Sequence, residues 1–209
     1  MGKYLVIGDS HIPRRATDIA VEIYDIITEL TQNKLFDYTF FTGDLIKAPK
    51  FIDFLNLKTK NNVFVVIGNM DYFDGNRDAP LYQKLELNLK NDEKIVIGLT
   101  HGAQIQPRGD RSQIEYLATE KNYNIIISGH THHEDIFLTD KGILLLNPGS
   151  VTGAWSFVAS GILSFILLEI DEINKQIQVI LYQLDKKSGN INEFKYFFKW
   201  KNNQIQNKF

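Results

Sequence analysis

Hydrophobic positions along the chain change rhythm twice. Residues 3–8 form a short apolar run that closes on Gly-Asp, the length and β-branching of a buried strand. Within residues 17–30, Ile19, Ile23, Ile26, Ile27 and Leu30 recur at helical spacing. This predicts one apolar helix face with Thr17 or Asp18 as N-cap. Strands follow at 38–42 and 62–67. Between them, residues 49–57 read as a short helix with Pro49 in its first turn. The first third is therefore β-α-β-α-β, the order of a parallel layer with crossover helices. A strand at 95–99, a helix at 112–120 and a strand at 125–128 come next. Beyond residue 136 the rhythm is that of short strands: 136–138, 143–146, 162–170, 177–184 and 194–200. Turn signals at Asp140-Lys141-Gly142 and Lys187-Ser188-Gly189-Asn190 suggest antiparallel hairpins. One domain over residues 1–200 is expected, with a Lys/Asn/Gln-rich tail at 201–209 that frays.

Composition narrows the function classes. The 209 residues are 44% hydrophobic and 23% charged, which suits a globular domain rather than a disordered chain. A net charge of -2 supplies no global field toward nucleic acid or anionic lipid. Arg14, Arg15, Arg108 and Arg111 offer at most a modest basic rim, read as solvated surface, and no nucleic-acid partner is expected. With no cysteine, any metal must take nitrogen and oxygen ligands. The N-terminus has no signal-peptide organisation, and the apolar run at 162–168 is too short to span a bilayer. A cytoplasmic protein without membrane insertion is the expectation.

The chemistry sits at strand ends. After the successive predicted strands come Gly8-Asp9-Ser10-His11, Gly43-Asp44, Gly68-Asn69-Met70-Asp71, Thr100-His101-Gly102 and Gly129-His130-Thr131-His132-His133. A lone Asp after a strand is ordinarily a turn residue, and a lone His an ordinary surface or core residue. Here all five histidines of the chain fall in three such loops. Carboxyl ends of parallel strands share one sheet edge, where ligand sites form. The candidate metal ligands are therefore Asp9, His11, Asp44, Asn69, His101, His130 and His132, a set that suits two divalent ions sharing one carboxylate. His130 and His132 alternate about Thr131, so an extended loop would point them the same way. His133 is read as surface. Trp155, Phe157 and Val158 are read as ordinary packing, with a docking patch as the alternative.

These five blocks resemble the signature blocks of the calcineurin-like metallophosphoesterases, in the family's order over residues 8–132. The resemblance implies an α/β fold: a four-layer α/β/β/α sandwich of two mixed sheets. It also implies that Asp9, His11 and His132 hold one ion, that Asn69, His101 and His130 hold the other, and that Asp44 bridges. Gly8-Asp9-Ser10-His11-Ile12-Pro13, Pro107-Arg108-Gly109-Asp110 and the segment from Asn147 to Ala154 are similar to the small phosphodiesterase subgroup that includes the retromer subunit vacuolar protein sorting-associated protein 29. The implied activity is hydrolysis of a phosphate-ester substrate, most simply a phosphodiester, by a metal-bound hydroxide. Mn, Zn or Fe would serve as the ions. No side-chain general acid is assigned, because Met70 stands where many members carry a catalytic His beside an acid, here Asp71. Slow turnover follows. The alternative implied by the subgroup is a binding scaffold with a helical-solenoid, retromer-like partner in protein trafficking, peripheral to an endosomal coat. Intact Asp44 and Asn69, and polar Gln106 and Arg108 in the docking stretch, favour the enzyme.

Overall fold

A computed structural model describes residues 1–185 and 188–208. Lys187, at the head of the second hairpin signal, and Phe209, at the end of the tail, lie outside the described residues. In chain order the elements are β1 (Gly2–Ile7), α1 (Val21–Leu30), β2 (Tyr38–Phe41), α2 (Pro49–Lys58), β3 (Val63–Val65), α3 (Asn69–Phe73), β4 (Tyr82–Asn88), β5 (Lys94–Thr100), α4 (Arg111–Glu120), β6 (Ile125–Ile127), β7 (Glu134–Leu138), β8 (Leu144–Pro148), β9 (Leu163–Asp171), β10 (Gln176–Leu184), β11 (Ile191–Lys201) and β12 (Gln204–Asn207).

The strands form two mixed sheets, with orders β12-β11-β10-β9-β1-β2-β3 and β4-β5-β6-β8-β7. β1, β2 and β3 are parallel, as the β-α-β-α-β pattern predicts. β5, β6 and β8 form the parallel heart of the second sheet. Burial assigns the layers. Tyr4, Val6, Ile166, Leu168, Val179 and Leu181 from the first sheet meet Ile95, Ile97, Leu99, Ile125, Ile127, Leu144 and Leu146 from the second in one inter-sheet core. The alternate residues Leu5, Ile7, Phe165, Leu167 and Tyr182 pack under Ile23 and Ile27 of α1 and Phe51 and Leu55 of α2. Ile126 and Leu145 pack under Ile114 and Ala118 of α4. Helices thus cover both outer faces, and the α/β/β/α sandwich is the observed architecture. Two-sided burial also explains why residues 162–168 read as one apolar run rather than an alternation.

Four local differences from the sequence reading have physical causes. α1 starts at Val21 with Ala20 as a cap residue that makes no side-chain bond, so neither Thr17 nor Asp18 is the N-cap. Asp18 instead accepts from its neighbour Ile19 N. β4 escapes the pattern because only Leu85 and Leu87 of its seven residues are aliphatic, and it pairs along its full length with β5. α3 is a single short helix opening on Asn69. The stretch expected to fray after Trp200 forms β12, an edge strand paired with β11 from Lys201–Gln204 to Phe198–Asn207 and anchored by buried Ile205.

Candidate metal centre

The loops after β1, β2 and β3 in one sheet and after β5 and β6 in the other meet where the two sheets face each other. The shared-edge argument placed the ligands on one sheet, whereas the structure draws them from two. Backbone bonds lock the loops together. Asp9 N donates to Gly43 O (3.0 Å), His11 N to Asp44 O (2.9 Å) and Gly129 N to His101 O (2.9 Å). Two glycines make the approach possible. A Cβ at Gly68 would collide with the Asp44 carboxylate, and one at Gly129 with Asp9 and Thr42.

Five of the seven candidate ligands sit in the left-handed region: Asp9 (φ 50°), His11 (51°), Asp44 (54°), His130 (69°) and His132 (58°). Asp and His tolerate this region better than β-branched residues, but each such residue still costs roughly 1–3 kcal/mol. The left-handed turn at both His130 and His132 removes the extended loop from which their common direction was inferred. They diverge instead. His130 Nδ1 lies 3.2 Å from His101 Nε2, while His132 Nε2 lies 3.0 Å from His11 Nε2.

The donor atoms form a continuous array. Asp9, His11, Asp44 and His132 each offer one atom within 4.8 Å of the others, and all four are buried. Asp44 Oδ2 is 3.2 Å from His11 Nε2 and 3.5 Å from His101 Nε2. His101 Nε2 is also 3.1 Å from Asn69 Oδ1. All seven candidates are thus brought together, with Asp44 at the middle. His133 is exposed and leans on Glu134 O, outside the array.

The array fits divalent cations on its own chemistry. His101 Nδ1 is 2.8 Å from Thr42 O, and His132 Nδ1 is 2.8 Å from Ala154 O. A carbonyl only accepts, so Nδ1–H donates in both rings and Nε2 is the nitrogen turned to the centre. Asp9 Oδ2 accepts from Thr42 Oγ1 and His130 N. Its Oδ1 and His11 Nδ1 are the buried side-chain polar atoms without a hydrogen-bond partner among the described residues. Buried acceptors left unpaired are costly, and facing ring nitrogens need a proton or a cation between them.

Electrostatics point the same way. Burial would raise the Asp9 carboxyl, but the neighbouring His132 imidazole carries it well below the usual carboxylate range. Burial opposes a charge on His132, yet Asp9, 3.3 Å away, outweighs that and raises it. His130 is pushed down to about 3, first by burial, then by the His101 and Arg108 charges. It is therefore a neutral lone-pair donor.

For several supporting residues the sequence did not disclose the role. Asp71, read as an acid left without its imidazole, has another task. Its Oδ2 accepts from Asp44 N (2.8 Å) and Gly68 N (3.0 Å), and its Oδ1 from Ile46 N (2.7 Å). Burial raises its carboxyl. Asp44 Oδ1 in turn accepts from Met70 N (2.7 Å), leaving Oδ2 for the array. The segment at 147–154 buttresses the loops: Asn147 Nδ2 donates to Gly129 O, and Ser150 Oγ donates to Asp9 O. The signal available was the density of small hydroxyl and amide residues between Asn147 and Thr152.

The basic rim is mostly tied down. Arg14 pairs with Asp74, Arg15 donates to Trp155 O, and Arg111 grips Asp135 with two bonds. Trp155, Phe157 and Val158, expected to be ordinary packing, are exposed, and the two aromatic rings contact each other at 5.0 Å.

Residues 3–172 match the calcineurin-like phosphoesterase superfamily domain. A probable metallophosphoesterase of Methanocaldococcus jannaschii is 36% identical over 148 residues, 70% of this chain and 67% of that protein. Among solved structures, a point mutant of Vps29 from Entamoeba histolytica superposes with a TM-score of 0.80 at 29% identity, covering 94% of this chain and 99% of that one. Wild-type Vps29 of the same organism complexed with Zn²⁺ gives 0.78 at 30% identity, covering 93% and 98%.

Proposed function

This chain belongs to the calcineurin-like phosphoesterase superfamily, and from that premise we propose that it hydrolyses phosphodiesters at a two-ion centre built from Asp9, His11, Asp44, Asn69, His101, His130 and His132. In this reading Asp9, His11 and His132 hold one ion, Asn69, His101 and His130 the second, and Asp44 is shared. The observation that carries it is the position of Asp44 Oδ2, 3.2 Å from one group's His11 and 3.5 Å from the other's His101. Divalent ions in such a pair supply the charge that activates water and neutralises phosphoryl oxygens. Manganese, zinc or iron suits these ligands.

The chain's own residues do the rest. Thr42 O and Ala154 O orient two imidazoles, and Asp71 holds the Asp44 loop so that one carboxylate oxygen faces both groups. Met70 has no proton to give, so the departing alkoxide gets no side-chain acid from that position. General-acid help contributes about 10²–10⁴-fold, and its loss restricts turnover to good leaving groups. The test is hydrolysis of bis(p-nitrophenyl) phosphate by metal-stripped protein with and without Mn²⁺. Multiple turnover is expected, abolished by EDTA and by His101→Ala. Protein that retains bound metal but never turns over would rule the hydrolytic reading out.

Exposure of Trp155, Phe157 and Val158 favours a second reading, a scaffold that docks a helical-solenoid partner of the retromer kind. Large exposed apolar groups mark interfaces. Trp155→Asp should then abolish binding to a purified solenoid subunit in calorimetry while leaving metal uptake intact. A wild-type protein that does not bind that subunit removes this reading.

A further inference from the structure

Beside the centre lies a cavity of about 420 Å³ that the hydrolytic mechanism does not use. Its inner wall is Asn69 and His101, two residues of the metal array, so cavity and centre are continuous. Its outer wall is Tyr72, Phe73 and Leu81, all exposed, with Arg77 among them. The Arg77 guanidinium lies over the Tyr72 ring, 4.4 Å from its centroid, and Phe73 meets Tyr72 edge-on at 6.4 Å.

The wall is held in register with the centre. Asn69 and Tyr72 are three residues apart on α3, hence on one helix face. The helix is tied to the Asp44 loop by Asp71 and by the Met70 N–H. On the far side Gln104 Nε2 is committed to Thr100 Oγ1 (3.2 Å), which leaves its amide oxygen to accept from a ligand N–H.

Resting on the phosphodiesterase reading, we propose that this cavity receives one ester group of the substrate and that the group is a nucleoside. The volume suits a nucleoside-sized group within the usual range of small-molecule sites. The Arg77 guanidinium stacked over the Tyr72 ring makes a planar cationic–aromatic surface of the kind on which bases stack, whatever their hydrogen-bonding edge. Gln104 adds one polar contact of the kind a base edge meets. An acyl chain would use neither Arg77 nor Gln104. Tyr72, Arg77 and Gln104 are then specificity residues, and the phosphate they deliver lies against Asn69 and His101.

The test is calorimetric binding to Mn²⁺-loaded protein of three probes: adenosine 5′-monophosphate, ribose 5-phosphate and dioctyl phosphate. The nucleotide should bind roughly tenfold to a hundredfold tighter than ribose 5-phosphate, the discrimination that stacking of one base supports. Tyr72→Ala should erase most of that ratio by weakening the nucleotide alone. Tyr72 is half-exposed, so its truncation leaves the fold intact. A second variant, Ala103→Trp, fills the cavity and should erase the ratio without removing Tyr72. Equal binding of the nucleotide and ribose 5-phosphate, or preference for dioctyl phosphate, overturns the proposal. So does a ratio that survives both variants. Turnover of bis(p-nitrophenyl) phosphate is read alongside. Turnover without nucleoside preference sinks the cavity assignment alone. Preference without turnover sinks the hydrolytic reading and leaves the ligand class standing.

Discussion

The loop edge where the two sheets face each other and the antiparallel end of the larger sheet, β9 to β12, handle the backbone in opposite ways. At the antiparallel end, β9 and β10 pair over nine residues from Asp171–Gln176 to Leu163–Leu184, and successive side chains go to the inter-sheet core and to the helix-covered core in turn. Local preference, burial and hydrogen bonding agree there. At the loop edge they conflict. Left-handed residues, buried acids and facing imidazoles are packed together, with two polar atoms unpaired. One such left-handed residue costs about what one well-buried aliphatic side chain contributes. The contrast teaches that the agreeable region supplies the stability that the conflicted region consumes.

The largest expected effect breaks the agreeable side. Phe165 is fully buried against the Tyr182 ring at 4.8 Å, and Phe165→Ala should cost about 3–5 kcal/mol in urea unfolding. The zinc or manganese stoichiometry of the protein that remains folded should not change. A smaller effect sharpens the conflicted side. Mn²⁺ at a hundred times its dissociation constant should stabilise by about 2.7 kcal/mol, or roughly 5–11 °C in melting temperature for a chain of this size. Asp9→Ala should abolish that shift, and its persistence would show that the ions bind elsewhere. Smallest is the link between the two. Asp71→Asn keeps one oxygen for Asp44 N and Gly68 N but turns its amide N–H₂ on Ile46 N, so one buried N–H loses its acceptor, and it should cost about 1–3 kcal/mol. Metal affinity should fall roughly 10–100-fold by isothermal titration, as for other residues that orient ligands. If affinity held, Asp71 would be a stabilising residue only.

Most of the fold was legible where periodicity and burial coincide. The parallel β1-β2-β3 order followed from alternating apolar runs and helical spacing, and α4 began within one residue of its expected start. β4 was illegible because its outer face carries Lys84, Glu86 and Asn88 and its inner face opens on Gln83, and pairing with β5 rather than its own apolarity makes it a strand. β12 was misread because Gln204, Gln206 and Asn207 look like a tail. Only the edge offered by β11 and the pocket for Ile205 make them a strand. For the centre, residue types and their place after strands sufficed to collect all seven candidates. The geometry that divides them did not follow, since His130 and His132 diverge through left-handed turns that no alternation rule contains.

By itself, then, the sequence determined the chemistry available: nitrogen and oxygen donors, no thiol, five histidines confined to three strand-end loops, and a methionine where a proton donor would serve. Those are properties of residue type and local order, which covalent connectivity alone specifies. Tertiary structure decided which donor faces which, that Asp44 lies between two groups, that Asp71 holds loops together, and that an aromatic cavity adjoins His101. Those relations join residues from 27 to 121 positions apart. They exist only once two sheets have buried a common core and fixed the distance between their facing edges.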